Sequence, residues 1–507
     1  MDKNLLLAVS LSILVYAAWF GFIEKKMSKP AANKPAVTAN GPASALTSPT
    51  SDAPRPAAMA SAVSTTAADK DAVDSFPFAK ADVSVRAHGA AVVSWKYHGP
   101  RGVVELVIQP QPGFLSTFPD LAFRREPGAG FVYAASQGPL RITKEFVPDG
   151  NDVLPRVRLT IKNTGGQPVQ TPAWTISVGP ALGTIPTEEK ENAKVMRSLG
   201  LSKEEGGLHG KVEVFKQAGE QSADYRWLGV DNRYFLAALL PNPGDFAKAT
   251  SYDTHAVELT AKPETLAAGQ SKTWEVPFYL GAKGNTWLSR YKAGLERSID
   301  FGFFAQLGRF VLKVLDKIHS VTGNWGWSII LLTMMIQLAM FPLTYKSLKA
   351  TSAMRRLQPE IAKLQQRHAK EPTRLNTEMM ELYKKHGANP LGGCLPMLVQ
   401  MPVFVALYNA LRNAWELHGA SWIFWIHDLS AKDPYYVLPL VMGALMFAQN
   451  KLNPAAGVDP AQQQMMTFMP IIFTVMFMNF PSGLVLYWLT NSLVSTLQQL
   501  ALRKRLA

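Results

Sequence analysis

The run from Pro460 to Leu502 reads PAQQQMMTFMPIIFTVMFMNFPSGLVLYWLTNSLVSTLQQLAL, and its 43 residues include no acidic or basic side chain. A helix crossing a hydrocarbon layer needs about 20 apolar residues, so the run is too long for one span. Pro481-Ser482-Gly483, near its middle, is a turn signal. The reading is two membrane helices, over 465–480 and 483–502, joined by a tight turn.

Further charge-free runs lie upstream, if His319 is neutral, and place spans at 324–345, 391–411 and 434–450. At the other end, Asn4 to Ile23 is uncharged and nearly all apolar. It is longer than a signal-peptide apolar region and no A-x-A site follows, so residues 1–23 are expected to be an uncleaved anchor. The fold class expected is a polytopic α-helical membrane protein of about six spans.

Between anchor and spans the composition changes twice. Residues 24–75 are dominated by Ala, Pro, Ser and Thr, which bury too little apolar surface to offset ordering entropy, so a disordered tether is expected. Over 76–285, short alternating stretches such as Arg156-Val157-Arg158-Leu159-Thr160-Ile161 are punctuated by Gly, Pro and Asn. Period-two alternation with regular turns predicts an antiparallel β-sandwich. Residues 286–320 form a linker and an amphipathic helix, with Phe303, Phe304, Leu307, Phe310, Val311, Val314, Leu315 and Ile318 at helical spacing. Such a helix beside a span lies in the membrane interface or packs on the sandwich.

Charge sets the orientation. The chain carries a formal +14 with 18% charged residues, and between Lys346 and Pro390 there are ten Lys or Arg against four Glu. Basic loops stay in the cytoplasm, so 346–390 and both termini are expected inside and the sandwich outside. Lys25, Lys26 and Lys29, on the outer side of the anchor, run against that assignment. The same rule accounts for the basic balance without a nucleic-acid substrate. Within 346–388, Met354, Leu357, Ile361, Leu375 and Met379 step by helical intervals around Glu371-Pro372, predicting a helical hairpin that Pro359 kinks. The hairpin is either a solvated loop or a dock for a ribosome, a nascent chain or anionic lipid.

No phosphate-binding loop, metal-ligand spacing or catalytic triad is found, and the one cysteine, Cys394, lies in an apolar run. No catalytic residue, metal or cofactor is expected. The informative residues are polar ones inside the spans: Thr333 and Gln337 one turn apart, Gln400, Gln449, and a stripe of Trp488, Asn491, Ser492, Ser495 and Gln499. They line a hydrated indentation or make ordinary interhelical hydrogen bonds. Fifteen of nineteen Met residues follow position 320, which suits a surface meeting varied apolar partners or plain membrane filling.

Three motifs carry a family resemblance. They are Asn389-Pro390-Leu391-Gly392-Gly393-Cys394-Leu395-Pro396, Trp425-Ile426-His427-Asp428-Leu429-Ser430, and Phe480-Pro481-Ser482-Gly483-Leu484-Val485-Leu486-Tyr487-Trp488. The chain resembles the YidC/Oxa/Alb insertases in their Gram-negative form, over roughly residues 320 to 505. That resemblance implies a five-helix insertase core within 321–507, a periplasmic supersandwich and an inner-membrane location. It implies a hydrophilic groove touching Thr333, Gln337, Gln449 and Trp488, with nascent membrane proteins, the Sec translocon, the ribosome and membrane lipids as partners. Many members carry an arginine where this chain has Gln337, so a groove based on fixed positive charge is not expected here. The function expected is insertion and chaperoning of new membrane proteins without nucleotide hydrolysis, by a non-enzyme. The alternatives are a membrane transporter or channel, and a periplasmic glycan-binding protein held by a membrane anchor.

Overall fold

The computed structural model describes residues 73–506 except 79, 100–101, 110–112, 129, 149, 151, 204–209, 369–370, 388–394 and 453–459. The expected anchor, nearly all of the expected tether, and the motif from Asn389 through Cys394 lie outside the described residues.

Alternation becomes sheet from Val73 to Ala282. A four-stranded antiparallel meander runs through Val73–Phe78, Ala81–Arg86, Ala91–Gly99 and Gly102–Glu105. A nine-stranded sheet is built around Ser271–Ala282, which pairs with Arg156–Asn163 on one side and Phe235–Leu239 on the other. A further four-stranded sheet holds Thr175–Val178, Ala256–Ala261, Phe246–Tyr252 and Gly219–Gln221. Leu140–Val147 shows why the strands form: Leu140, Ile142, Lys144 and Phe146 face inward while Arg141 points out. Apolar residues on the inner faces make one large core that includes Trp95, Trp174, Trp274, Phe278 and Phe235.

Three charged side chains, Lys144, Asp231 and Lys283, are buried inside this domain. Lys144 is fully buried, and its ammonium donates to the carbonyls of Gly89, Ala90 and Leu115. Asp231, also fully buried, accepts from Arg197 Nη2 at 2.7 Å and Lys283 Nζ at 2.8 Å. Burial pushes both lysine ammoniums down, and at Lys283 the Asp231 carboxylate opposes the shift.

The helical region follows. Ala305–Thr322 (α1) buries Gly308, Val311, Leu312 and Leu315. That face joins the apolar cluster of the later helices, so the helix packs on them and not on the sandwich, while Phe303 and Phe310 stay 92% and 63% exposed. Trp325–Arg356 (α2) is, by length and composition, the helix among the described residues able to cross a membrane. Gln358–Arg367 (α3) and Pro372–Lys385 (α4) are two short helices that share a small apolar cluster. The helix is interrupted at Leu357, two residues before Pro359, which falls in the first turn of α3. Leu395–Asn413 (α5), Val437–Leu452 (α6), Pro460–Phe477 (α7) and Ser482–Leu506 (α8) complete the region. Proline lies inside α2, α5 and α7, at Pro342, Pro402 and Pro470.

The segment 414–433 ties these helix ends together. Asn324 caps α2 by accepting from Gly326 and Trp327, and its amide donates to the carbonyls of Ser421 and Trp422. Gly326 is needed there because a Cβ would lie 2.1 Å from the Trp422 ring. Asp433 accepts from Leu438 N at 2.7 Å at the start of α6, and from the Trp425 indole. Ser482 N and Gly483 N, opening α8, donate to Ala431 O and Leu429 O at 2.7 and 2.9 Å.

Candidate functional site

Four helices bring most of the polar candidates together. Thr333 is fully buried on α2, its hydroxyl donating back to Ile329 O at 2.7 Å. One turn on, Gln337 is 6% exposed and its amide donates to Asn491 Oδ1 on α8. From α6, Gln449 Nε2 donates to Ser492 O at 2.7 Å and Thr496 Oγ1 at 2.8 Å, both on α8. From α5, the Gln400 amide donates to the Tyr487 hydroxyl, also on α8. Helix α8 therefore receives an amide from each of three neighbours, and the polar groups satisfy one another as a low-dielectric setting demands.

Two candidates fall outside that seam. Trp488 is half-buried among aromatic rings, with Phe404, Phe477 and Phe473 at 4.9, 5.3 and 5.9 Å between centroids. Ser495 is half-buried and accepts from Gln499 Nε2 at 3.4 Å on its own helix. Sequence reasoning missed Thr496 and Tyr487. Thr496 was within reach of the helical rule, four residues beyond Ser492 on the same face. Tyr487 stands inside a quoted motif, but nothing in the sequence marks its hydroxyl, which matters only because Gln400 faces it.

The seam is electrically neutral. The side chains that form it are amides, hydroxyls and a phenol, with no fixed charge. Its outer faces are lipid-like: Leu331, Met335 and Leu338 on α2 and Leu493, Leu497 and Leu500 on α8 are all exposed. Among the described residues no three His, Cys, Asp or Glu side chains converge so as to hold a metal ion.

The hairpin has a small core of its own. Leu357, Ile361 and Tyr383 are buried there, with Met354 and Met379 packed against them, and Leu375 is half-buried on α4. His368 Nε2 lies 3.1 Å from Glu378, which also pairs with Arg374. Residues expected to capture a substrate are thus spent largely on holding α3 to α4, and Met380 is the exposed apolar side chain on that arm.

A β-rich domain joined to an apolar helical region that carries a neutral polar seam defines a class of membrane proteins. Comparison with known proteins makes it specific. A family model for the 60Kd inner membrane protein matches residues 317–507, and one for the YidC periplasmic domain matches residues 128–314. The membrane protein insertase YidC of Endomicrobium trichonymphae is 38% identical over 435 residues, 82% of each chain. That of Geobacter sulfurreducens is 37% identical over 373 residues, 73% of this chain and 69% of its own. That of Polynucleobacter asymbioticus is 43% identical over 277 residues, 54% of this chain and 50% of its own.

The chain belongs to the YidC family of membrane protein insertases. It is an inner-membrane protein with a periplasmic β-rich domain, and its function is membrane protein insertion.

Proposed function

We propose that this insertase works through the seam between α2, α6 and α8, acting as a groove that an incoming segment enters by exchanging hydrogen bonds. The observation that carries the reading is the Gln337–Asn491 pair, two amides bonded to each other across the α2–α8 interface. A polar flank moving into lipid loses water, and an isolated charge at the bilayer centre costs at least about 2.5–3.5 kcal/mol. Amides that release one another and bond the passing backbone lower that barrier. The apolar segment then leaves into lipid on the α8 side, beside the exposed Leu497.

The finer architecture belongs to the same proposal. It has about six spans, with α2, α5, α6, α7 and α8 as the five-helix core, the hairpin and both termini in the cytoplasm, and the sandwich in the periplasm. Nascent membrane proteins meet the hairpin first. Ribosome, Sec translocon and lipids are its partners, and it works as a non-enzyme without nucleotide hydrolysis. The groove residues are Thr333, Gln337, Gln449, Asn491 and Ser492 in the seam, with Ser495 and Trp488 at its margin.

The test is photo-crosslinking from position 337 to a ribosome-bound nascent membrane protein, with the neighbouring lipid-facing position 338 as control. Crosslinks from 337 that exceed those from 338 support the groove. Equal labelling at both positions returns the seam to helix packing.

A further inference from the structure

The sandwich and the helical region meet at a small, unusual contact. After α5 ends at Asn413, Trp415 is 4% exposed and enters the core of the sandwich. Its ring lies 5.1 Å from Phe235, 5.7 Å from Tyr234 and 6.2 Å from Tyr97. His418, three residues on, is tilted against both Trp415 and Tyr234, at 4.8 and 5.6 Å. A polar chain runs beside this plug. Arg197 bridges the buried Asp231 and Asp300, the Asp300 carbonyl accepts from Asn413 Nδ2, and the Phe301 carbonyl accepts from Asn409 Nδ2.

Glu416 lies between Trp415 and the rest of the loop. Its carboxylate oxygens are both buried and no side chain donates to either; the donors nearest them are the backbone N–H groups of Glu416 itself, Asn285 and Thr286. The groups around it come from each neighbouring element. Asp316 of α1 acts on its charge, and backbone amides of Asn285 and Thr286 come from the turn that leaves the sandwich. Asp316 accepts from the Asn285 amide and the Thr286 hydroxyl at 3.5 and 3.3 Å, and its other oxygen is buried without a partner. On the sandwich flank stand His418 and Tyr234, the latter under the charges of Glu188, Arg233 and Asp428. Lys283, at the root of the turn, is engaged by Asp231. Two carboxyl groups thus face each other where sandwich, α1 and α5 meet, and among the described residues the charge acting on Glu416 is that of another acid.

We propose that residues 415–418 are a proton-sensitive joint: with Glu416 neutral the sandwich is locked to the end of α5, and ionisation of Glu416 loosens it. Trp415 is a positioning residue here, since α5 also carries Gln400 and Phe404, which reach Tyr487 and Trp488. Burial, with the charge of Asp316 adding to it, pushes the Glu416 carboxyl up from 4.5 to about 7, against the backbone amides of Glu416, Thr286 and Asn285, which favour the ionised form. An acid whose proton is held more tightly in the locked state favours that state as pH falls. Stability is therefore lost as pH rises from the ordinary carboxyl range through about 7. If the loosened joint returns Glu416 to 4.5, the locked-to-loose ratio falls about tenfold between about pH 6 and about pH 8.

The experiment uses the full chain in lipid nanodiscs with Cys394→Ser, and spin labels at the exposed Val103 of the sandwich and Val321 of α1. The distance distribution is recorded across that pH range for the parent, Glu416→Gln, Trp415→Ala and Trp415→Phe. Expected are a distribution that broadens with rising pH in the parent, stays narrow in Glu416→Gln, and is broad throughout in Trp415→Ala. A parent distribution unmoved by pH overturns the proposal, as does a Trp415→Ala chain as narrow as the parent. If Trp415→Ala does not fold, the parent and Glu416→Gln decide, because loss of pH dependence in an otherwise unchanged chain is not a packing effect.

Discussion

Replacing Gln337 and Asn491 by Leu, singly and together, separates a working groove from helix packing. In the native protein the two amides satisfy each other between α2 and α8. Asn491→Leu strands Gln337, which is 6% exposed, and Gln337→Leu strands the half-buried Asn491, at a smaller cost. An unsatisfied buried polar group costs about 1–3 kcal/mol. The double change removes both amides, and coupling between such groups in membrane helices is about 0.6 kcal/mol on average and about 1.7 at most. Stability should fall in the singles and largely recover in the double. Insertion should behave differently. If a passing segment bonds each amide at about 1 kcal/mol, each single loses about fivefold in rate and the double about thirtyfold. The assay is insertion of a single-span substrate with a polar flank into proteoliposomes, run beside thermal unfolding of the same variants. A double variant that regains both stability and insertion refutes the groove and leaves the pair as a structural bond.

Two further outcomes follow from buried groups. Asp231→Ala leaves Lys283, 2% exposed, as a buried cation without its carboxylate, and breaking such a pair costs about 3–5 kcal/mol. Thermal unfolding of the sandwich should fall accordingly, and adding Lys283→Met should restore much of it. Ile361→Ala empties the centre of the hairpin core, where Ile361 is 1% exposed, at about 2–5 kcal/mol. Limited trypsin digestion should then cut within 358–385 while the sandwich stays intact, and unchanged digestion would mean that α3 and α4 are held by something other than that core.

What could be read from the sequence followed periodicity. Alternation in Arg156–Asn163 and the helical spacing of α1 concern neighbours in the chain, so side-chain spacing suffices to find them. Pro359 marks an interruption but not its exact place, because a proline in a helical pattern either bends the helix or opens a new one, and the break falls at Leu357. The seam was half legible. Gln337 and Asn491 are conspicuous among apolar residues, but that they bond each other depends on how α2 meets α8. Trp488 reads as a groove residue by position, yet its ring is committed to Phe404, Phe473 and Phe477. The joint was illegible: Trp415 looks like a membrane-interface anchor until the sandwich, some 180 residues earlier at Phe235, is seen to receive it.

The prolines inside α2, α5 and α7 have a mechanical consequence. Each removes a backbone hydrogen bond, freeing for example the carbonyls of Leu338 and Leu398 four residues earlier. Pro342 lies five residues beyond Gln337 and Pro402 two beyond Gln400, so the compliant points sit level with the seam. At their other ends, α2 is pinned by Asn324, α5 by Trp415 and α8 by Ser482, all through the segment 414–433 and the sandwich. The helices are thus beams built in at one end and notched partway along. A load applied at the hairpin end would bend α2 and α5 at the notches and leave the clamped ends still, so the seam could part without the sandwich being disturbed.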